Sequence, residues 1–532
     1  MRSLSLVTCF SLAQHIAGQQ IYDIWQTTWD QQHLFSDISP TTPINFVTPG
    51  AIGQADIVVN DAQVYQTMAG FGSSLTDSAA LVLSEMKTAN AANYWSLLGY
   101  MFDPTDGKGG AGLSYVRVPL GASDFSANLY SFDDHSGDTS MADFAISAAP
   151  SYLFSTLKDI MSINSILKVH ILPWSPAWMK TGGTMNGGGL NTAYNTQYAT
   201  YLLKCLQGFQ SEGITPYAIS IQNEPENSNP TYPSANILVA QEAQIGLALR
   251  PLMNNNGFSA VKLVGFEHNW DDAGAYPVQL MQQASSAFDS VAFHCYSGTV
   301  DEQSAFTSAY PSKGVYFTEC AGTIGSDWWS DIKWYMDNLW IGAVQYGAQS
   351  GLMWNLAVNG AGLPELPGSN SCGGGGCRGV ATVNSDGSYS LNQEFYSMAQ
   401  ASKAIVPKDA GGPFAQRIGV TVGGSLNWAL VVGAYQTKRV SSTDWNRYSI
   451  VVLNWDDSST TTWNPVPVTT TIEFRGLQAT YTFPVGVTTL WWFASATSAA
   501  PGAHSFSPWN TTVPSNVTSN PGHYRPRRSS PL

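Results

Sequence analysis

Two glutamates in this 532-residue chain end apolar runs of the same kind. Glu224 follows Ile219 and Ile221 in YAISIQNEP (217–225), and Glu319 follows Val315 and Phe317 in GVYFTECAG (314–322). A carboxylate drawn out of water at the end of an apolar strand loses its solvation, so a matched pair calls for a use. Capping or ion pairing would serve for either residue alone. Facing each other across a pocket at roughly 5–5.5 Å, the two can hydrolyse a glycosidic bond, one protonated as general acid and the other ionised as nucleophile. Asn223, beside Glu224, can hydrogen-bond a sugar 2-hydroxyl or stabilise a turn. Arg117 lies in the apolar YVRVP, where an unpaired cation is costly, so it is expected to pair with Glu319 and keep it ionised. A purely structural ion pair is the other reading of Arg117. Asp77, Trp174, His294, Tyr296 and Trp354 also gather at the ends of apolar runs. His294 and Tyr296 share one strand face at i, i+2, which suits a hydrogen-bonding wall better than a metal ligand. The SFDDHSGD loop has three carboxylates but no regular ligand spacing and reads as solvated. No metal and no cofactor is implied.

Eight runs must position these residues: 68–76, 113–121, 167–175, 217–225, 261–268, 290–297, 314–322 and 350–358. Near-continuous apolar strands alternating with helix-compatible stretches predict a parallel sheet covered on both faces. Eight such units predict an α/β fold, a (β/α)8 TIM barrel, whose sites lie at the C-terminal ends of the strands. Glu224 and Glu319 are then about three units of roughly 31 residues apart. An open doubly wound sheet is the alternative, but it usually carries a Gly-rich phosphate loop after its first strand, and GFGSS does not make one. After residue 402, short strands separated by polar turns predict a fused side β-sandwich, which INFVTPGAIGQADIVVND (44–61) would help complete. The expected divisions are a signal peptide (1–18), N-terminal strands of the side domain (19–66), the barrel (67–401), the side β-sandwich (402–497) and a disordered tail (498–532).

Composition narrows the partners. A net charge of −14, with 11% of residues charged, offers no basic field for nucleic acid. Aromatics reach 12%, with 18 Trp, which suits core packing and sugar platforms alike. Arg2, the apolar stretch from Leu4 to Ala13 and the small residues Ala17 and Gly18 read as a secretory signal, and no later run is long enough to span a bilayer. A secreted, extracellular monomer acting on a polysaccharide or oligosaccharide is expected. Cys372 and Cys377 flank GGGG and can close a local disulfide in an oxidising compartment. Metal binding by this pair is the weaker reading, with no His nearby in sequence. Cys9 would leave with the signal, and Cys205, Cys295 and Cys320 are an odd remainder. At least one of these three is a buried thiol unless it pairs between chains. Asn510 and Asn516 begin glycosylation sequons in the tail, whose last residues are too polar for a GPI signal.

The motifs GFGSSLTDSAA, LSYVRVPLGASDFS, ILPWSPAWMKT, SIQNEPE and FTEC, in that order, are similar to glycoside hydrolase family 30. The resemblance runs from about residue 40 to 497. It implies a retaining mechanism without metal, with Glu224 as acid/base and Glu319 as nucleophile. It also implies that Asp77, Trp174, Trp178, His294, Tyr296 and Trp354 line the sugar pocket, with core packing the competing role for each Trp. Two features depart from the pattern. Cys295 stands where many relatives carry a bulky aromatic, and the segment GAGLPELPGSNSCGGGGCRGVATVN (360–384) is a longer, Cys-tethered loop. That loop resembles the fungal endo-β-1,6-galactanase subgroup. The expected function is therefore a secreted retaining endo-glycosidase acting on β-1,6-galactan side chains of arabinogalactan. The alternatives are an endo-β-1,6-glucanase or a glucosylceramidase-like hydrolase and, in a different class, a non-catalytic carbohydrate-binding protein.

Overall fold

The computed structural model describes residues 19–369 and 371–496. The expected signal peptide and the tail with Asn510 and Asn516 lie outside the described residues.

The eight runs form eight parallel strands: β1 (Gly70–Ser74), β2 (Tyr115–Leu120), β3 (Lys168–Pro173), β4 (Ala218–Ser220), β5 (Lys262–Asn269), β6 (Ser290–His294), β7 (Gly314–Glu319) and β8 (Ser350–Met353). Each pairs with the next through β7, and β8 returns to β1 with Ser350 opposite Gly70. The last seam, between β7 and β8, is held by a bridge from Val315 to Ala348, which nearly closes the barrel. Strands buried on both faces explain why the runs are apolar without alternation. The intervening helices bury one stripe each. Asp77–Ala89 starts at Thr76, whose hydroxyl accepts the Ala79 N–H at 3.0 Å, and it buries Ala79, Val82, Leu83 and Met86.

The side domain is a ten-stranded sheet. The expected strands after residue 402 are present as Gln416–Gly424, Leu430–Thr437, Asn446–Asn454, Val468–Phe474 and Gly486–Ala494. Three further strands had not been singled out individually, Gln20–Thr28, Ser36–Asp37 and Leu477–Phe483. The ladder is continuous, yet Phe474 meets Trp492 at 5.3 Å between ring centroids although four strands separate theirs in the ladder. The sheet therefore curls over its own apolar filling and packs as a sandwich.

Candidate active site

The C-terminal ends of the barrel strands converge on one buried polar cluster. Glu224 follows β4 with a left-handed backbone (φ 45°), and its N–H donates to the Glu267 carbonyl at 3.0 Å. Its carboxylate faces His294 Nδ1 at 3.2 Å and accepts from Asn227 Nδ2 at 2.8 Å. Glu319, the last residue of β7, accepts from Arg117 Nη1 at 2.7 Å and from the Tyr296 hydroxyl at 2.8 Å. Arg117, on β2, also donates through Nη2 to Asn223 Oδ1 at 2.6 Å, and its guanidinium lies 4.8 Å from the Trp174 ring centre. One guanidinium thus links Glu319 to the residue beside Glu224. Its planar fork makes that bridge possible.

The sequence reading passed over Glu267. In VGFEHN the residue looked like part of an ordinary strand end, but β5 bulges there. Gly265 pairs with Val291 and His268 with Phe293, so Phe266 and Glu267 share the place of one residue. Both take positive φ (73° and 52°), and the Glu242 carboxylate accepts the Phe266 N–H at 3.0 Å. The bulge brings Glu267 into contact with Arg117 and His294. Arg117 within an apolar run calls for compensating charge, but its sequence does not say that Glu267 supplies part of it.

Burial alone would raise the Glu267 carboxyl, but Arg117 and His294 outweigh it and hold it far below the carboxylate range. Burial would likewise depress His294, yet Glu319, Glu224 and Glu267 raise it to about 8. Carboxylates face both its ring nitrogens at 3.1 and 3.2 Å, so it serves as a doubly donating imidazolium. Glu224, His268 and His294 bring one potential ligand atom each within 4.8 Å of one another. The proton on His294 opposes metal binding there. Burial pushes Asp77 up to about 6, against the hydrogen bonds from Ser126 and Tyr130.

The other expected pocket residues divide into two groups. Trp174 and Trp354 stack at 5.1 Å and join Phe125, Val358 and Cys377 in one apolar cluster, and Tyr296 reaches Glu319. Asp77 is 1% exposed and Ser126 and Tyr130 occupy its oxygens, so it braces the turn after β2. Trp178 packs edge-on against Tyr194 at 4.9 Å. Cys372 bonds to Cys377, and Cys295 to Cys320, which leaves Cys205 as the buried thiol among the three whose pairing was open. The segment 360–384 is anchored by this first bridge and by Arg378, which pairs with Glu394 and Asp331 at 2.6 Å each. Its Leu366 N–H donates to the Asp124 carbonyl at 2.8 Å, so it crosses the rim beside the Trp174–Trp354 pair.

The glycosyl hydrolase family 30 TIM-barrel domain matches residues 68–336. An endo-1,6-beta-D-glucanase of Neurospora crassa is 31% identical over 67% of this chain and 74% of its own. One of Aspergillus fumigatus is 31% identical over 68% of this chain and 75% of its own. Among solved structures, an endo-beta1,6-glucanase superposes with a TM-score of 0.75 at 27% identity, covering 89% of this chain and 99% of that one.

Proposed function

The chain belongs to glycosyl hydrolase family 30, and from that premise we propose that it is a secreted retaining endo-glycosidase that cleaves β-1,6-linked glucan. The observation that carries the mechanism is the convergence of the two strand-end carboxylates on one buried polar cluster, joined through Arg117 and Asn223. Glu319 accepts hydrogen bonds from the Arg117 guanidinium and the Tyr296 phenol, which hold it in place as the nucleophile. Glu224 accepts from the Asn227 amide and faces His294 Nδ1, and it takes the part of the proton carrier. In the first step a Glu319 oxygen attacks the anomeric carbon while Glu224 gives its proton to the departing glycosidic oxygen. In the second, Glu224 takes a proton from water, and that water's oxygen displaces Glu319 from the same carbon. Two inversions give net retention. Asn223 spends its carbonyl oxygen on Arg117, and its amide group serves the sugar 2-hydroxyl. The stacked Trp174 and Trp354 form an apolar wall for the ring faces.

The glucan assignment is supported by the glucanase relatives. They favour it over the galactan reading drawn from the long loop. That loop does border the Trp174–Trp354 pair, which keeps β-1,6-galactan as the second reading. Two disulfides fit an oxidising compartment and support export. Among the described residues no helix is long and apolar enough to cross a membrane. The test compares kcat/KM on β-1,6-glucan and β-1,6-galactan, with NMR of the first-formed anomer. We expect preference for glucan and a β-anomer product. A preference for galactan restores the second reading, and an α-anomer overturns retention. Glu319→Gln is expected to abolish turnover, and Glu224→Gln to keep some on substrates with good leaving groups.

A further inference from the structure

A third carboxylate sits between the two assigned to catalysis. Glu267 is fully buried on β5, and groups from five other strands converge on it. Ser220 Oγ donates to it at 2.6 Å, Thr318 Oγ1 at 2.7 Å, His294 Nε2 at 3.1 Å and Arg117 Nη2 at 3.2 Å. His170 Nε2 lies 3.3 Å away, and burial keeps that imidazole neutral by pushing it down to about 4. Glu267 therefore touches both groups that serve the catalytic pair: Arg117, which holds Glu319, and His294, which faces Glu224. Charge counting points the same way. With Glu224 protonated, the negative Glu319 and Glu267 balance the positive Arg117 and His294. Glu224 is then the one member of the cluster left to exchange a proton.

We propose that Glu267 is a positioning residue of the reaction: its permanent charge aims Arg117 at Glu319 and keeps His294 donating to Glu224. The proposal rests on the roles assigned above to Glu224 and Glu319. Glu267 reaches neither sugar nor reacting carbon and acts only through its two cationic neighbours. The groups facing His294 are Glu224 and Glu267 on its two nitrogens, Arg117 at 3.5 Å, His268 in the same cluster, the Tyr296 ring edge-on at 6.3 Å, and Glu319 through space. Loss of Glu267 removes one of the three carboxylates that hold the imidazole proton.

The experiment is Glu267→Gln in the full chain, with Glu267→Asp beside it. The amide keeps the shape, loses the charge and sets an N–H2 group against neighbours that all donate. We expect kcat to fall about 100-fold, the scale of a small misplacement of catalytic groups, with KM within about threefold. The His294 imidazolium, followed by nitrogen NMR, should titrate about one to three pH units lower than in the wild type. Glu267→Asp keeps the charge but draws it back by one methylene. It should leave the His294 titration near wild type while kcat falls at least about tenfold. If Glu267→Gln does not fold, the aspartate variant decides alone. Wild-type kcat in either folded variant overturns the proposal, as does an unmoved His294 titration in Glu267→Gln. A fully active Glu267→Gln beside an inactive Glu319→Gln removes this inference and leaves the catalytic pair intact. A fully active Glu319→Gln removes the pair itself.

Discussion

At the scale of single residues, the site is a problem in placing charge where water is absent. Arg117 is fully buried, and its neutral replacement would strand Glu267 and Glu319. Breaking such a pair from one side costs about 3–5 kcal/mol. Arg117→Leu is therefore expected to lower the unfolding midpoint and to reduce kcat about 100-fold, because Glu319 loses the guanidinium that holds it in place. Unchanged kcat in a destabilised but folded variant would make Arg117 structural only. Asp77 carries a pH signature of its own. Its folded value of about 6 stands above the unfolded 3.8, so the native state holds the proton more tightly. Native stability is then greatest, as far as this group goes, below the unfolded value and is lost as pH rises through 6. The full difference is on the order of 3 kcal/mol. Relative to wild type, Asp77→Asn should gain stability between pH 4 and pH 7.5. Any fixed packing cost cancels in that comparison, and a gap independent of pH would refute the assignment.

At the scale of elements, what could be read from sequence was whatever local pattern determines. The eight barrel strands announce themselves because burial on both faces demands apolar runs, and their polar ends mark the catalytic rim. The pairing of Cys295 with Cys320 was not readable, since it depends on β6 lying beside β7 with His294 opposite Glu319. Nor was the β5 bulge. Its supports are the Glu242 carboxylate from a helix and the Glu224 N–H from the segment after β4, and neither is local to VGFEHN. The strand Gln20–Thr28 falls within the expected N-terminal strands (19–66) but has no clear pattern of its own, because QIYDIWQTT mixes polar and apolar residues and gains its identity from pairing with Gly486–Ala494. Sugar choice is not legible for a similar reason: loop length alone does not say which hydroxyls the loop meets. The Cys295–Cys320 bridge ties together the strand ends that carry His294 and Glu319. Its sequence separation of 25 gives a chain-entropy contribution of about 3 kcal/mol. Replacing both cysteines by serine should lower stability in denaturant by about that amount and reduce kcat. Unchanged kcat at full folding would show that the bridge stabilises without positioning.

At the scale of the whole molecule, the barrel and the side sheet are joined by more than a linker. The sheet takes strands from both ends of the described chain, with Gln20–Thr28 against Gly486–Ala494, and Ala55–Thr67 between Gln416–Gly424 and Val468–Phe474. One apolar cluster runs from barrel residues such as Phe71 and Leu339 to Trp25, Phe35, Tyr435 and Trp491 of the sheet side. The helix Gln393–Ile405 lies at this junction. Phe395 meets Phe35 at 6.0 Å, Ser449 Oγ donates to the Ala404 carbonyl at 3.0 Å, and Gln400 hydrogen-bonds both Thr27 and Thr489. Polar clamps add to it. Asp457 accepts from Trp329 and Lys333 at 2.7 Å each, and Arg447 donates to the Val406 carbonyl at 2.6 Å. Cutting the chain to 67–401 would uncover this face and leave Trp329 and Lys333 without Asp457. Each large apolar side chain returned to water costs about 1.5–3 kcal/mol, against a total folding margin of about 5–15 kcal/mol. A few such residues exhaust the margin. Calorimetry of the full chain should therefore show one cooperative transition, with barrel and sheet unfolding together. The 67–401 fragment should show none and should lack activity. A fragment that melts cooperatively and hydrolyses substrate with the full chain's kcat would establish the barrel as an independent unit and reduce the shared core to a contact surface.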